Sequence, residues 1–198
     1  MNEKMEQPKN RKTKQYTITI CLLLACGGLL FGYDNSGISG AIGFITNHFS
    51  FSASQQGWVV SSIDLGAIIG SIISGPLSNK YGRKKILILS SLLFIIGSIG
   101  QGAADNLLMI IVPRLIGGMA IGVANSVTPI FISELAPAKI RGALNATYQL
   151  VIVTGITLVY FVNAYIADLG SYSWNVDTGW RLMLFVGAIP AIIFLIAS

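Results

Sequence analysis

The sequence predicts an all-α membrane protein with six transmembrane helices. Of its 198 residues, 53% are hydrophobic and only 11% are charged, and the mean hydropathy is +0.70. These values lie outside the range of soluble globular domains. The apolar residues form runs long enough to span a bilayer, and short polar gaps separate them. We predict helices over about residues 16–45, 56–77, 86–104, 107–135, 143–167 and 179–198.

The segment before the first apolar run is polar and basic. We expect residues 1–15 to form a disordered cytoplasmic tail, and residues 16–198 to form one transmembrane domain. The apolar run that follows the tail is too long for the core of a signal peptide and lacks a small-residue cleavage pattern. The first helix should therefore remain in the mature protein.

The distribution of basic residues predicts the orientation. The tail holds five Lys and Arg, the gap at 78–85 holds four and the gap at 136–142 holds two, whereas the alternate gaps hold none. Because cytoplasmic loops are enriched in Lys and Arg, both ends of the chain should be cytoplasmic in a multi-pass cell-membrane protein. Trp58, Trp174 and Trp180 fall at the predicted outer interface, where aromatic belts form.

Composition also argues against several kinds of function. The net charge of +5 is explained by topology and by attraction to an anionic inner leaflet, so we expect the lipid bilayer and not nucleic acid as a partner. There is one histidine, His48, and no catalytic triad, phosphate-binding loop or metal-ligand motif is apparent. We therefore expect neither an enzyme nor a metal site.

A glycine-rich motif occurs twice. Gly27-Gly28, Gly32 and Asn35-Ser36 recur 90 residues later as Gly117-Gly118, Gly122 and Asn125-Ser126. The first copy lies on helix 1 and the second on helix 4, which cross the membrane in opposite directions. The spacing predicts two inverted three-helix repeats, as found in many transporters. The alternatives are coincidence among 22 glycines and a role in close helix packing alone.

Two ionisable residues lie deep in apolar helices. At about 1.5 Å per residue, Asp34 should lie about 12–16 Å below the outer end of helix 1, and Arg114 about 10 Å below that of helix 4. Charge in hydrocarbon is costly, so such residues are functional candidates. An aspartate that gains and loses a proton could alternately release and hold the arginine. The alternative is a static buried ion pair that only fixes packing.

Other charged residues have less defined surroundings. Asp64 on helix 2 could line a cavity, bind a cation or reach a hydrated interface. Glu134 and Arg141 lie near the cytoplasmic end of helix 4. They could pair with the basic gap at 78–85 and join the inner ends of the helices.

Five motifs carry a resemblance to a known family. Residues 75–85 (GPLSNKYGRKK) resemble the loop between helices 2 and 3 that marks the major facilitator superfamily. The stretches 31–34 (FGYD), 129–142 (PIFISELAPAKIRG) and 179–181 (GWR), with Gln149, resemble the sugar porter family, close to bacterial proton-coupled xylose and glucose symporters.

The resemblance implies the fold of the N-terminal six-helix half of a sugar porter and a role in monosaccharide:proton symport by alternating access. The proton would be the coupling ion, with no other cofactor. Asp34 matches the proton-coupling aspartate and Arg114 its partner, whereas Phe31 and Gln149 match residues that contact the sugar. The conformational charge network of the family corresponds to Gly82, Arg83, Lys84, Glu134 and Arg141.

The chain departs from the family pattern in places. Asn79 stands where the superfamily loop usually has aspartate, and Asp64 stands where an apolar residue is expected. Ile156 replaces a second sugar-binding glutamine of the xylose symporter, which argues against xylose as the substrate.

Length is the largest departure, because family members have twelve spans in two halves. We expect the 198-residue chain to be a fragment without the C-terminal half, and to require a C-terminal six-helix half as a partner. A truncated gene product and a module that pairs with another half are the alternatives. The functional alternatives are a facilitative sugar or polyol (inositol) carrier, and a non-transporting half-module that acts in assembly or sensing.

Overall fold

All regular structure in the described part of the chain is helical. The computed structural model describes residues 19–21, 24–25 and 27–197, so the predicted tail and much of the start of the first predicted helix lie outside it. The helices are α1 (Gly27–Phe49), α2 (Ala53–Tyr81), α3 (Arg83–Gly102), α4 (Leu107–Leu135), α5 (Arg141–Asp168), α6 (Tyr172–Trp174), α7 (Trp180–Phe185) and α8 (Ala188–Ala197). A π-helical turn, Asn175–Gly179, joins α6 to α7.

Five helical segments within the described residues are long and apolar enough to cross a membrane. Four of them are α2, α3, α4 and α5. The last is Tyr172–Ile196, which combines the π-helical turn with α6, α7 and most of α8 and is called the sixth segment because α1 is counted as the first. The remaining long helix, α1, has 23 described residues. Large apolar side chains such as Ile72, Phe161 and Ile196 are exposed on the outside of the bundle, as expected of a protein surrounded by lipid.

Side-chain caps define where several helices begin. Ser52 and Gln55 form the capping box of α2, in which the Gln55 N–H donates to Ser52 Oγ and the Ser52 N–H donates to Gln55 Oε1. The Ser52 side chain therefore fixes where α2 begins. Asn106 caps α4 in the same way, because its side chain accepts a hydrogen bond from the Met109 N–H at 3.0 Å.

A single glycine separates α2 from α3. Gly82 has φ 87° and ψ 149°, a backbone conformation that residues with a Cβ rarely adopt. Its N–H donates to the Ser78 carbonyl at 3.0 Å and so ends α2. The change of chain direction between these two helices therefore requires glycine at this position.

The sixth segment begins earlier than the predicted residue 179. Ser171 caps α6 by accepting a hydrogen bond from the Trp174 N–H. The Asn175 side chain then donates to the Ala167 carbonyl at 2.8 Å, which ties the π-helical turn to the end of α5. Polar side chains that suggested an outer loop at 168–178 instead start and anchor a helix.

The two copies of the glycine motif support two equivalent helix pairs, in which α1 packs along α5 and α4 packs along α2. A Cβ added to Gly32 would overlap the backbone carbonyl of Ile152 on α5. A Cβ added to Gly122 would overlap the carbonyl of Ala67 on α2 in the same manner. Exchange of the two three-helix units converts one pair into the other, as inverted repeats require. The glycines also permit close helix packing, so this explanation accompanies the repeat and does not replace it.

One predicted aromatic belt residue is in the core. Trp58 is 55% exposed, but Trp180 is fully buried, so its assignment to the outer interface is wrong. The Trp180 ring packs against His48 and Phe49 at the end of α1. Its other neighbour is the guanidinium group of Arg181, whose Cζ lies 4.5 Å from the ring centroid. Trp180 therefore joins the sixth segment to α1, within a cluster of buried apolar side chains.

We predict that Gly32→Ala destabilises the bundle and that Gly43→Ala does not. Both glycines lie on α1, but no atom lies within 4 Å of a Cβ added to Gly43. Overpacking at Gly32 should lower the free energy of unfolding by about 1–3 kcal/mol, whereas alanine at Gly43 should leave it unchanged or raise it by up to about 1 kcal/mol. The fraction of monodisperse protein remaining after heating in detergent measures the difference. Equal midpoints for the two variants would disprove the close contact.

Candidate functional site

Asp34 on α1 and Arg114 on α4 are both buried within the bundle. Asp34 is 7% exposed and Arg114 is 0% exposed. Within the described residues, the only ion pairs closer than 4.0 Å are His48–Asp177, Arg83–Glu134 and Arg181–Asp105. The expected direct pair between Asp34 and Arg114 is therefore not formed in this structure, although the two charges lie near enough to interact electrostatically.

Uncharged groups bind Arg114 instead. Its Nε donates to the Val59 carbonyl at 2.7 Å, and its Nη1 donates to Gln101 Oε1 at 3.0 Å. Hydrogen bonds to a charged group are worth about 1.5–3 kcal/mol each, and they help to offset the cost of burying the cation. Arg114 thus joins α4 to both α2 and α3 within the bundle.

Asp34 has no such partners. Its Oδ2 atom is buried and makes no hydrogen bond with any described residue, and the same is true of Arg114 Nη2. A carboxylate in apolar surroundings is costly unless a cation or a proton neutralises it. Within the described residues, Asp34 therefore keeps a buried carboxyl oxygen without a hydrogen-bond partner, in the electrostatic field of Arg114.

Neutral polar side chains also lie near this pair. A prediction based on charged residues alone does not include them. Gln101 is 1% exposed on α3, where it contacts Arg114. The Tyr33 hydroxyl and Ser98 Oγ are buried without a hydrogen-bond partner among the described residues, and both side chains lie beside Gly187. A polar amide inside the apolar run 86–104 was the available signal for Gln101.

Asp64 lies apart from the buried pair, on the exposed side of α2. It takes part in no hydrogen bond or ion pair between described side chains, although its charge acts on Arg114. Its exposure fits either a hydrated cavity or a surface that another domain covers.

The two expected sugar-contacting residues lie on a pair of packed helices, α1 and α5. Phe31 is half-buried and packs against a cluster of buried apolar side chains, whereas Gln149 is exposed. Gln149 makes no hydrogen bond within the described structure, so its amide is available to a ligand. The preceding residue, Tyr148, is buried and donates to Asn125 Oδ1 on α4 at 3.0 Å, which fixes this part of α5.

A charge cluster lies at the opposite end of the bundle, between the start of α3 and the end of α4. Arg83 and Glu134 form a bidentate ion pair in which Nη2 lies 2.9 Å from Oε1 and Nε lies 3.2 Å from Oε2. Arg83 Nη1 also donates to the Ser78 carbonyl and to Asn79 Oδ1, at 3.2 and 3.1 Å. Asn79, the departure from the superfamily aspartate, therefore still serves as an acceptor, but without a negative charge.

The other expected members of this network are arranged differently. Gly82 supplies the turn that places Arg83. The side chains of Lys84 and Arg141 are exposed and form no ion pair or side-chain hydrogen bond with described residues. As hydrated cations at a helix terminus they need no protein partner, so the network in this structure is centred on Arg83 and Glu134.

The described residues contain no group of three or more His, Cys, Asp or Glu side chains that could hold an ion.

Comparison with known proteins identifies the family. The family model "Sugar (and other) transporter" matches residues 20–198. The chain is 42% identical over 192 residues to the arabinose-proton symporter of Bacillus subtilis, covering 95% of this chain and 41% of that protein. It is 45% identical over 168 residues to the D-xylose transporter of Levilactobacillus brevis, covering 84% of this chain and 35% of that protein. The chain thus spans well under half the length of these relatives.

Solved structures show the same relationship. The proton:xylose symporter XylE bound to 6-bromo-6-deoxy-D-glucose matches with a TM-score of 0.87 and 35% identity, over 92% of this chain and 44% of that one. The inward-open conformation of XylE from E. coli matches with a TM-score of 0.86 and 36% identity, over 91% of this chain and 47% of that one. The predicted fold class, the N-terminal half of a major facilitator fold, is confirmed. The chain therefore belongs to the sugar transporter family of the major facilitator superfamily.

Proposed function

We propose that this chain is the N-terminal half of a carrier that moves a monosaccharide across the cell membrane together with a proton. One observation carries the proposal: Asp34 is a buried carboxyl group that no cation neutralises by direct contact, on a helix that also presents Phe31. Relatives named as arabinose-proton and galactose-proton symporters support the choice of substrate class and coupling ion.

In the proposed mechanism, a proton from outside binds Asp34 and removes its attraction for Arg114. The sugar then binds between two halves, where the Phe31 ring packs against its apolar face and the Gln149 amide bonds to its hydroxyl groups. Rocking of the halves opens the site to the inside. No cofactor beyond the proton is required, and a C-terminal six-helix half supplies the remaining sugar contacts.

We also propose an orientation for the chain. The basic residues beside Arg83, which are Lys80, Lys84 and Lys85, lie at the same end of the bundle as Glu134. The positive-inside rule makes this end cytoplasmic. Both chain ends then lie at the cytoplasmic side, and Trp58 and the π-helical turn lie at the outer side.

A second candidate is a half-module that acts in assembly or sensing without transporting sugar. Alternating access needs two halves, and the chain covers 41% of a symporter relative. Reconstitution of the 198-residue chain together with a C-terminal half separates the candidates. Stable association with a C-terminal half that restores flux supports the carrier, whereas stable association without flux supports the module.

We predict that Asp34→Asn abolishes proton-driven sugar accumulation in a carrier assembled from this chain and a C-terminal half. The amide cannot take up the proton that drives accumulation, so uptake should reach only equilibrium with external sugar and should become insensitive to a protonophore. Sugar uptake and sugar-induced alkalinisation of the medium measure the effect. Asp64→Asn is the control, and should retain accumulation because Asp64 is exposed on α2. Undiminished accumulation by Asp34→Asn would disprove the coupling role, and accumulation by the unchanged carrier that resists a protonophore would indicate a facilitative carrier.

We predict that Glu134→Gln slows transport and that the charge swap Arg83→Glu with Glu134→Arg partly restores it. Exposed ion pairs contribute about 0.2–1 kcal/mol, so the expected change in initial uptake rate is modest and should be coupled between the two positions. Lys84→Gln is the matched control, because Lys84 forms no ion pair among the described residues. Additive effects of the two single substitutions in a double-mutant cycle would contradict a functional pair.

A further inference from the structure

Gln101 is a polar side chain that is buried near the end of α3. It lies at the penultimate residue of α3, is 1% exposed, and its Oε1 accepts a hydrogen bond from Arg114 Nη1 at 3.0 Å. Its backbone carbonyl also accepts the Ala104 N–H where the helix ends. Hydrogen bonds therefore hold both the backbone carbonyl and the side-chain amide of Gln101.

Arg114 is bound on two sides by neutral acceptors. A guanidinium group has five N–H donors in a fixed plane. The Val59 carbonyl takes the Nε donor and Gln101 takes an Nη1 donor, whereas Nη2 has no partner in the described part of the chain. The cation is thereby fixed in direction while keeping its full charge.

We propose that Gln101 is a positioning residue for proton coupling, which holds the Arg114 guanidinium in the arrangement where it is not bonded to Asp34. The amide oxygen competes with the Asp34 carboxylate for the same donors. When Asp34 carries a proton, Gln101 retains the cation, and when Asp34 is ionised, the carboxylate is the stronger competitor because the attraction between two full charges adds to its hydrogen bond with Arg114. This inference rests on the proposed role of Asp34 in proton binding.

The essential feature of Gln101 is that its side chain accepts a hydrogen bond but carries no charge. A neutral acceptor orients Arg114 without neutralising it, so the arginine charge continues to act on Asp34. The other charge that acts on Arg114 comes from Asp64 on α2, and the Tyr33 phenol lies next to Asp34 on α1. On α7, Arg181 is engaged with Asp105 at 3.0 Å.

Two substitutions of similar size should shift proton binding in opposite directions. Gln101→Met removes the acceptor and releases Arg114 Nη1 toward Asp34, so the carboxylate is stabilised and takes up its proton at lower pH. Gln101→Glu adds an anion beside Arg114 and Asp34, so Asp34 should take up its proton at higher pH. Each shift should be about one pH unit or more, a tenfold change in the protonation constant, as is typical of a changed charge partner.

The test is an infrared titration of the 198-residue chain in lipid nanodiscs. The carboxylic-acid C=O band of Asp34 is isolated by ¹³C-labelling of aspartate and by subtraction of the Asp34→Asn spectrum. The band intensity is followed against pH for the unchanged chain, Gln101→Met and Gln101→Glu. Ser98→Ala is the matched control on α3, because Ser98 Oγ is buried without a partner in the described structure. It should titrate like the unchanged chain.

Opposite shifts for the methionine and glutamate variants support the proposal. A purely structural role would leave the Asp34 titration unmoved, or would move both variants in the same direction, and either result overturns the proposal. An Asp34 band that does not respond to pH also overturns it. No sugar flux enters the measurement, so loss of the transport proposal and loss of this one remain distinguishable.

Discussion

The burial of one cation organises the half of this bundle that lies away from Arg83 and Glu134. Arg114 comes from α4, yet its guanidinium group is bound by the backbone of α2 and by the side chain of α3. Removing a charge from water is tolerated only where hydrogen bonds replace hydration. Three helices must therefore stay in register around Arg114, and the nearby Asp34 on α1 is placed in its electrostatic field.

Other contacts join the helices at the opposite end of the bundle and along its length. At the cytoplasmic end proposed above, Arg83 joins Glu134 of α4 to the end of α2, and Gly82 supplies the conformation that brings it there. Between the ends, glycines allow α1 to approach α5 and α4 to approach α2 without intervening side chains. Close backbone packing thus accompanies the polar contacts between these helices.

Much of the fold could be predicted because hydropathy and caps act locally. The predicted helix 107–135 has the bounds of α4, and Ser52 caps α2 as its sequence position suggested. The beginning of the sixth segment could not be predicted by hydropathy, since Ser171 and Asn175 look like loop residues until their hydrogen bonds to backbone are known. Trp180 was misplaced for a related reason, because its burial depends on packing against α1.

Depth along two helices predicted that Asp34 and Arg114 lie at a similar level in the membrane. It could not show that Gln101 and Val59 bind the arginine in place of the aspartate. We propose that a proton gradient drives sugar movement through a carrier containing this chain. Sugar uptake into proteoliposomes, with and without an imposed pH gradient acidic outside, tests this proposal most directly. We predict transient accumulation above equilibrium only with the gradient, and equal uptake under both conditions would contradict the proposal.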